Sequence, residues 1–223
     1  MAEKAEKKET GKKAKENKEK QEKESKKKLE RQVITLFIVL GIIFVSIVAF
    51  IISYQIGKQR PDFKYGDFSV YKERLEGTTV DFYIIPINVF GRELNVALRS
   101  DPRKIKDISM EINEELLDEI DEIWITTSPG LESDAIIATN EIGSFTGSIG
   151  LRTGYALTEV VGEYPVMKCE NASAKKRVIE VRLGNSTKIY SEDKCIIVQG
   201  KDYEDMIKAA DRFVILLLEK LIR

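Results

Sequence analysis

Between Val33 and Gly57 the chain runs through twenty-five consecutive residues without a charge. As a helix this stretch reaches about 37 Å at 1.5 Å per residue, enough to cross a hydrocarbon core of about 30 Å with modest tilt. The run therefore predicts a single transmembrane helix over residues 33–57. It divides the chain into a charged tail (1–32), a juxtamembrane linker (58–78) and a domain spanning 79–223. A cleaved signal peptide is the competing reading and the weaker one. The run is too long for a signal core, and Ser53-Tyr54-Gln55-Ile56-Gly57-Lys58 offers no small-x-small cleavage site.

Charge gives the direction of crossing. Residues 1–32 hold thirteen lysines and arginines against eight glutamates, a net of +5. The remainder holds 23 basic and 29 acidic side chains, a net of −6. Basic flanks stay on the cytoplasmic side, so the tail is expected inside and the carboxyl domain outside. The tail is too poor in apolar residues to form a core. Its Glu16/Lys20, Glu19/Lys23, Glu22/Lys26 and Glu24/Lys28 spacings nevertheless favour a partly formed helix leading into the span. The bilayer itself is the partner this pattern implies; the interleaved glutamates dilute the field that nucleic acid would need, and no nucleic acid is expected.

The two cysteines, Cys169 and Cys195, both fall on the predicted outer side. Joined, they close a loop of about 25 residues, which loop-closure entropy values at roughly 3.5 kcal/mol. Two buried free thiols are the alternative. Two sequons lie in or beside the same loop, Asn171-Ala172-Ser173 and Asn185-Ser186-Thr187, making Asn171 and Asn185 glycosylation candidates.

Within the domain the pattern alternates strands and helices. Thr79–Phe90 and Glu93–Arg99 read as strands of a hairpin through Gly91, with Pro86 marking an edge or bulge. Asn113–Ile120 reads as a helix capped by Asn113, Glu122–Ser128 as a strand ending in Pro129-Gly130, and Ser133 to about Arg152 as a helix. In such a helix Gly143, Gly147, Gly150 and Gly154 share one face, which predicts close packing on a sheet. A phosphate-cradling loop is the alternative, but neither a Walker lysine nor Gly-x-Gly-x-x-Gly is present. A strand is expected near Leu157–Val161. Arg177–Leu183 and Lys188–Ser191 read as a hairpin with the second sequon at its tip. Cys195–Gln199 is a continuous apolar run of the kind buried on both faces. Asp202 then caps a last helix, with Asp205 at its third position and Asp211 and Arg212 expected on its surface. This order predicts one α/β domain with a mixed sheet.

The run CIIVQGKDYEDMIKAADRFVILLLEKL, with Leu98-Arg-Ser-Asp-Pro-Arg-Lys104 and the anchor ahead of them, resembles uncharacterised single-pass membrane proteins of small-genome archaea. The strand-glycine-helix ending is also similar, more loosely, to segments of archaeal surface-layer proteins. The resemblance covers the anchor and about half of the outer domain. It implies a cell-envelope location and the fold, and it carries no catalytic residues.

Histidine is absent, which removes Ser-His-Asp and Cys-His chemistry and histidine metal sites. Paired cysteines leave no thiolate. No catalytic residue, metal site or cofactor is expected. In open α/β sheets ligands bind beyond the carboxyl ends of strands, which singles out Thr126, Thr127, Ser128 and Gly130 with Lys201 and Asp202, side by side if their strands are neighbours. Ordinary βα turns are the competing reading, and Glu132 and Asp134 oppose an anion there. The resulting expectation is an anchored binding or structural module of an archaeal cell envelope, with a protein or glycan partner. A membrane-tethered hydrolase or transferase using carboxylates is the alternative.

Overall fold

The structure, a computed structural model, describes residues 35–54, 57, 60–118, 120–131 and 133–222, apart from the side chain of Asp134. The tail 1–32 with its Glu/Lys pairs, and residues 33, 34, 55 and 56 of the predicted span, lie outside the described residues. The chain forms two compact units, residues 1–60 and 61–223.

In the first unit, helix α1 (Thr35–Tyr54) is long and apolar enough to cross a membrane. Its side chains are exposed along its whole length, Phe37, Phe44 and Phe50 among them. A helix with no polar face is stable when its surroundings are as apolar as it is.

The second unit is mixed α/β with two sheets rather than the single sheet expected. A four-stranded antiparallel sheet, in the order β1 (Phe63–Tyr65), β2 (Phe68–Arg74), β3 (Asp81–Val89), β4 (Arg92–Leu98), begins inside the segment read as linker. Phe68 and Val70 alternate into the core there, but β1 is three residues long and gives no period of its own. The hairpin through Gly91 is present. Phe90 and Gly91 both take positive φ, 50° and 78°, the pair of angles a two-residue turn needs to match strand twist. Pro86 lies beyond Ile84, the last residue of β3 that pairs with β2, where a missing amide breaks no β2 ladder.

The second sheet has six strands in the order β5 (Ser109–Glu111), β9 (Lys188–Glu192), β10 (Cys195–Gly200), β8 (Lys176–Leu183), β6 (Glu122–Thr127), β7 (Arg152–Leu157). Strands β7, β6, β8 and β10 are parallel; β9 runs antiparallel to β10. The expected β8–β9 hairpin is therefore absent. Strand β10 inserts between them, and the tight turn lies instead at Asp193, φ 51°, between β9 and β10. Every residue of β10 is buried, as its apolar run predicts.

Helix α3 (Ser133–Ser148) ends earlier than expected. The Leu151 amide donates to Thr146 O and the Gly150 amide to Gly147 O, with Gly150 at φ 90°, the left-handed closure of a helix end. The four glycines thus do not share a face, since Gly154 lies in β7. A Cβ on Gly147 would meet open space, whereas one on Gly143 would overlap the Tyr155 ring and one on Gly154 the Trp124 ring at 2.9 Å. The expected strand at 157–161 is β7, five residues earlier. The helix expected at 113–120 is only a 3-10 turn, Glu114–Leu117, with Asn113 capping it as read.

Helix α4 (Tyr203–Leu221) starts as predicted, Asp202 Oδ1 accepting from the Asp205 amide at 2.8 Å. It packs beside α3 on one face of the six-stranded sheet, and the four-stranded sheet covers the helices from the other side. One core joins all three layers, with Val70 and Ile85 below, Ile142 and Phe213 between, and Ile179 and Ile196 above. Asp211 and Arg212, expected at the surface, are 0% and 8% exposed. A helix between two sheets has no outer face in its middle. A short helix α2 (Pro102–Ile105), capped by Asp101, packs against α4. On the far face of the large sheet Val178, Cys195 and Ile197 form a small cluster under Trp124 and Cys169.

Candidate functional site

Strands β6 and β10 point the same way, but β8 lies between them, so the two ends singled out from the sequence are not neighbours. Their hydroxyls serve the fold. Thr126 is fully buried and donates to Met167 O at 2.8 Å, Thr127 donates to Val181 O at 3.0 Å, and Ser128 pairs with Thr158 at 3.3 Å. Gly130 turns the chain at φ 89°. Lys201 is exposed and pairs with Asp205 at 3.3 Å, while Asp202 is the α4 cap. Glu132 and the side chain of Asp134 lie outside the described residues.

Cys169 and Cys195 are joined, their Cα atoms 5.0 Å apart, which ties the 3-10 turn Cys169–Asn171 to the centre of the large sheet. Asn171 is exposed, its Oδ1 accepting from the Lys168 amide at 2.8 Å. Asn185 is exposed in the β8–β9 connection, and the hydroxyl of Thr187 in the same sequon donates to Asp205 Oδ2 at 2.7 Å.

The polar groups that converge lie elsewhere, where β4, the edge strand of the four-stranded sheet, passes α3. A cavity of about 350 Å³ opens there. Helix α3 lines it with Ile137, Asn140, Glu141, Ser144, Phe145 and Ser148, spaced i, i+3, i+4, i+7, i+8 and i+11, a single helical stripe. From the sheet come Phe82, Asn95 and Arg99. Arg99 Nε stands 2.8 Å from Glu141 Oε1, and its guanidinium lies 5.1 Å from the centre of the Phe82 ring. Although that ion pair is close, neither Glu141 oxygen receives a well-aligned hydrogen bond.

Behind Glu141 sits Asp211, wholly buried on α4, its Oδ2 accepting from the Ser100 amide at 2.6 Å. Burial raises Glu141 to about 9, the charge of Asp211 adds to this, and Arg99 opposes it without prevailing. Burial also raises Asp211, against the amides of Ser100 and Arg99. Two carboxyls this close in a dry setting hold one proton between them, with Glu141 the acid and Asp211 the carboxylate it faces.

The arrangement offers a neutral carboxylic acid and a half-exposed guanidinium at the cavity wall. Asp211 does not line the cavity, so the two carboxyls cannot both touch one ligand. Neither Glu141 nor Asp211 stood out in the sequence, yet a signal was present. For Asp211 it lies in residues 213–218, which follow it on the same helix and are apolar at every position; a helix apolar all round is enclosed, and a charge adjoining that stretch is enclosed with it, whereas Glu141 on α3 has no such mark. No protein-family model, curated protein or solved structure matches the chain.

Proposed function

We propose that this chain is a single-pass membrane protein whose tail is cytoplasmic and whose α/β domain stands outside, as a binding or structural module of a cell envelope working through protein or glycan contacts. The observation that carries this reading is the Cys169–Cys195 bond. A disulfide between a surface turn and a central strand persists where thiols are not kept reduced, and both cysteines follow the apolar helix in sequence whereas the basic flank precedes it. The exposed Asn171 and Asn185 agree with that side. The resemblance to single-pass proteins of small-genome archaea supports an archaeal envelope as the setting.

The test is crosslinking with a membrane-impermeant amine reagent on intact cells, followed by mass spectrometry. Linked peptides from lysines in 61–223 to one recurring envelope protein or glycan-bearing partner are expected. Recovery of links only from the tail, in opened cells, would contradict the reading.

A membrane-tethered hydrolase or transferase is the second reading. Glu141 favours it, since an acid that keeps its proton at neutral pH is suited to protonating a leaving group. Against it stands the burial of Asp211, which leaves no second carboxylate facing the cavity.

A further inference from the structure

The guanidinium of Arg99 is only partly compensated. Among the described residues its side-chain partners are Glu141, reached through Nε, and the ring of Phe82. Among the described residues its terminal nitrogens make no hydrogen bond to a protein acceptor besides the Glu141 ion pair. The charged groups facing Glu141 are Arg99 at the end of β4 and Asp211 from α4, and the charge of Asp211 is turned away from the cavity into the Ser100 amide. With Glu141 neutral, the wall presents a cation that lacks a full counter-charge.

Around that cation the cavity is lined by groups suited to hydroxyls. Asn95, Asn140, Ser144 and Ser148 are all exposed at its rim; the two amides and Ser144 carry both a donor and an acceptor, while the Ser148 hydroxyl donates to Phe145 O at 2.7 Å and keeps its acceptor side. Val96, Phe145 and Val214 give it an apolar floor. A guanidinium fork recognises a carboxylate, while amides and hydroxyls recognise a polyol. At about 350 Å³ the space is at the small end of ligand sites, the scale of one sugar residue rather than an oligomer.

We propose that the cavity between β4 and α3 binds a hydroxylated carboxylate of the uronic-acid class, its carboxylate on Arg99 and its hydroxyls on Asn95, Asn140, Ser144 and Ser148. This deepens the reading of an outward-facing binding module, on which it rests for access to such a ligand. The topology of the chain and the chemistry of the cavity are tested separately.

The experiment is a ligand-observed NMR titration of the full chain in detergent micelles near neutral pH, which reads binding whichever way the protein crosses a membrane. The probes are D-glucuronate, its methyl glycoside as a mimic of a chain-linked residue, D-glucose and inorganic phosphate. Saturable binding of glucuronate or its glycoside is expected, with glucose at least about tenfold weaker, the scale of one lost charged hydrogen bond. The glycoside binding as well as the free acid assigns the site to polymer-linked sugars; the free acid alone assigns it to monomers.

Arg99→Gln should abolish the preference for glucuronate over glucose. Asn140→Asp, at an exposed position that leaves the core untouched, should weaken glucuronate at least about fivefold more than it weakens glucose, since like-charge repulsion acts only on the carboxylate. Equal binding of glucose and glucuronate, tighter binding of phosphate, no saturable binding at all, or an Asn140→Asp variant that binds glucuronate as wild type would each overturn the assignment.

Discussion

Replacing Glu141 by glutamine keeps the shape of the protonated acid and removes only its capacity to ionise. In the folded chain this carboxyl is raised from its ordinary 4.5 to about 9, by burial first and by Asp211 second. Between those values the folded state holds a proton that the unfolded state has lost. Stability therefore falls as pH rises. The contribution is fully present below 4.5 and gone above about 9, at a slope of about 1.4 kcal/mol per pH unit for one proton. Asp211, raised by burial to about 6, has the same sign, and its change is largely complete by that pH.

The chain has no histidine, so among the described residues the Glu141 proton is the side-chain proton that separates the two states from about pH 6 to about pH 8. Carboxylates held low, such as Asp81, Asp101 and Asp205, act below this window, and the raised Lys72, Lys208, Tyr65 and Tyr155 act above it. The wild type should lose about 3 kcal/mol across those two units, and Glu141→Gln should stay nearly flat. Urea unfolding of the full chain in micelles, followed through Trp124, the sole tryptophan, reads this directly. Parallel pH dependence in the two proteins would refute the account of the pair.

Gly200→Ala should cost more than about 3 kcal/mol, because its Cβ would overlap the backbone of Met206, whereas Gly147→Ala should be neutral or gain up to about 1 kcal/mol from helix propensity; paired urea titrations check both. Unreduced protein digested under acid should yield Cys169 and Cys195 in one linked peptide pair, and Cys195→Ser should lower stability by about 2–5 kcal/mol. Two alkylatable thiols in undenatured protein would contradict this.

Features written in local chemistry were legible in the sequence. The Asp202 cap, the buried run of β10, the Phe90-Gly91 turn and the cysteine pair all follow from a few adjacent residues or one spacing. Features set by distant partners were not. Nothing local distinguishes a β8–β9 hairpin from two strands that β10 later separates. The glycine face assumed that one helix ran past Gly150, although a glycine there suits a helix end as well as an interior. The strand-end cleft assumed adjacency of β6 and β10, which β8 prevents. Asp211 and Arg212 looked exposed because a helix was expected to have a solvent side, and the second sheet removed it. The Glu141 cavity depends on the same unforeseen sheet, since Arg99 reaches α3 only from the end of β4.

The proposed function rests most directly on the side of the membrane on which the domain stands. A membrane-impermeant protease added to intact cells producing the full chain, with fragments identified by mass spectrometry, measures it directly. The account predicts digestion within Pro61 to Arg223 and an intact amino-terminal tail that is cleaved only after the cells are opened. Protection of the domain in intact cells, with the tail exposed, would contradict it.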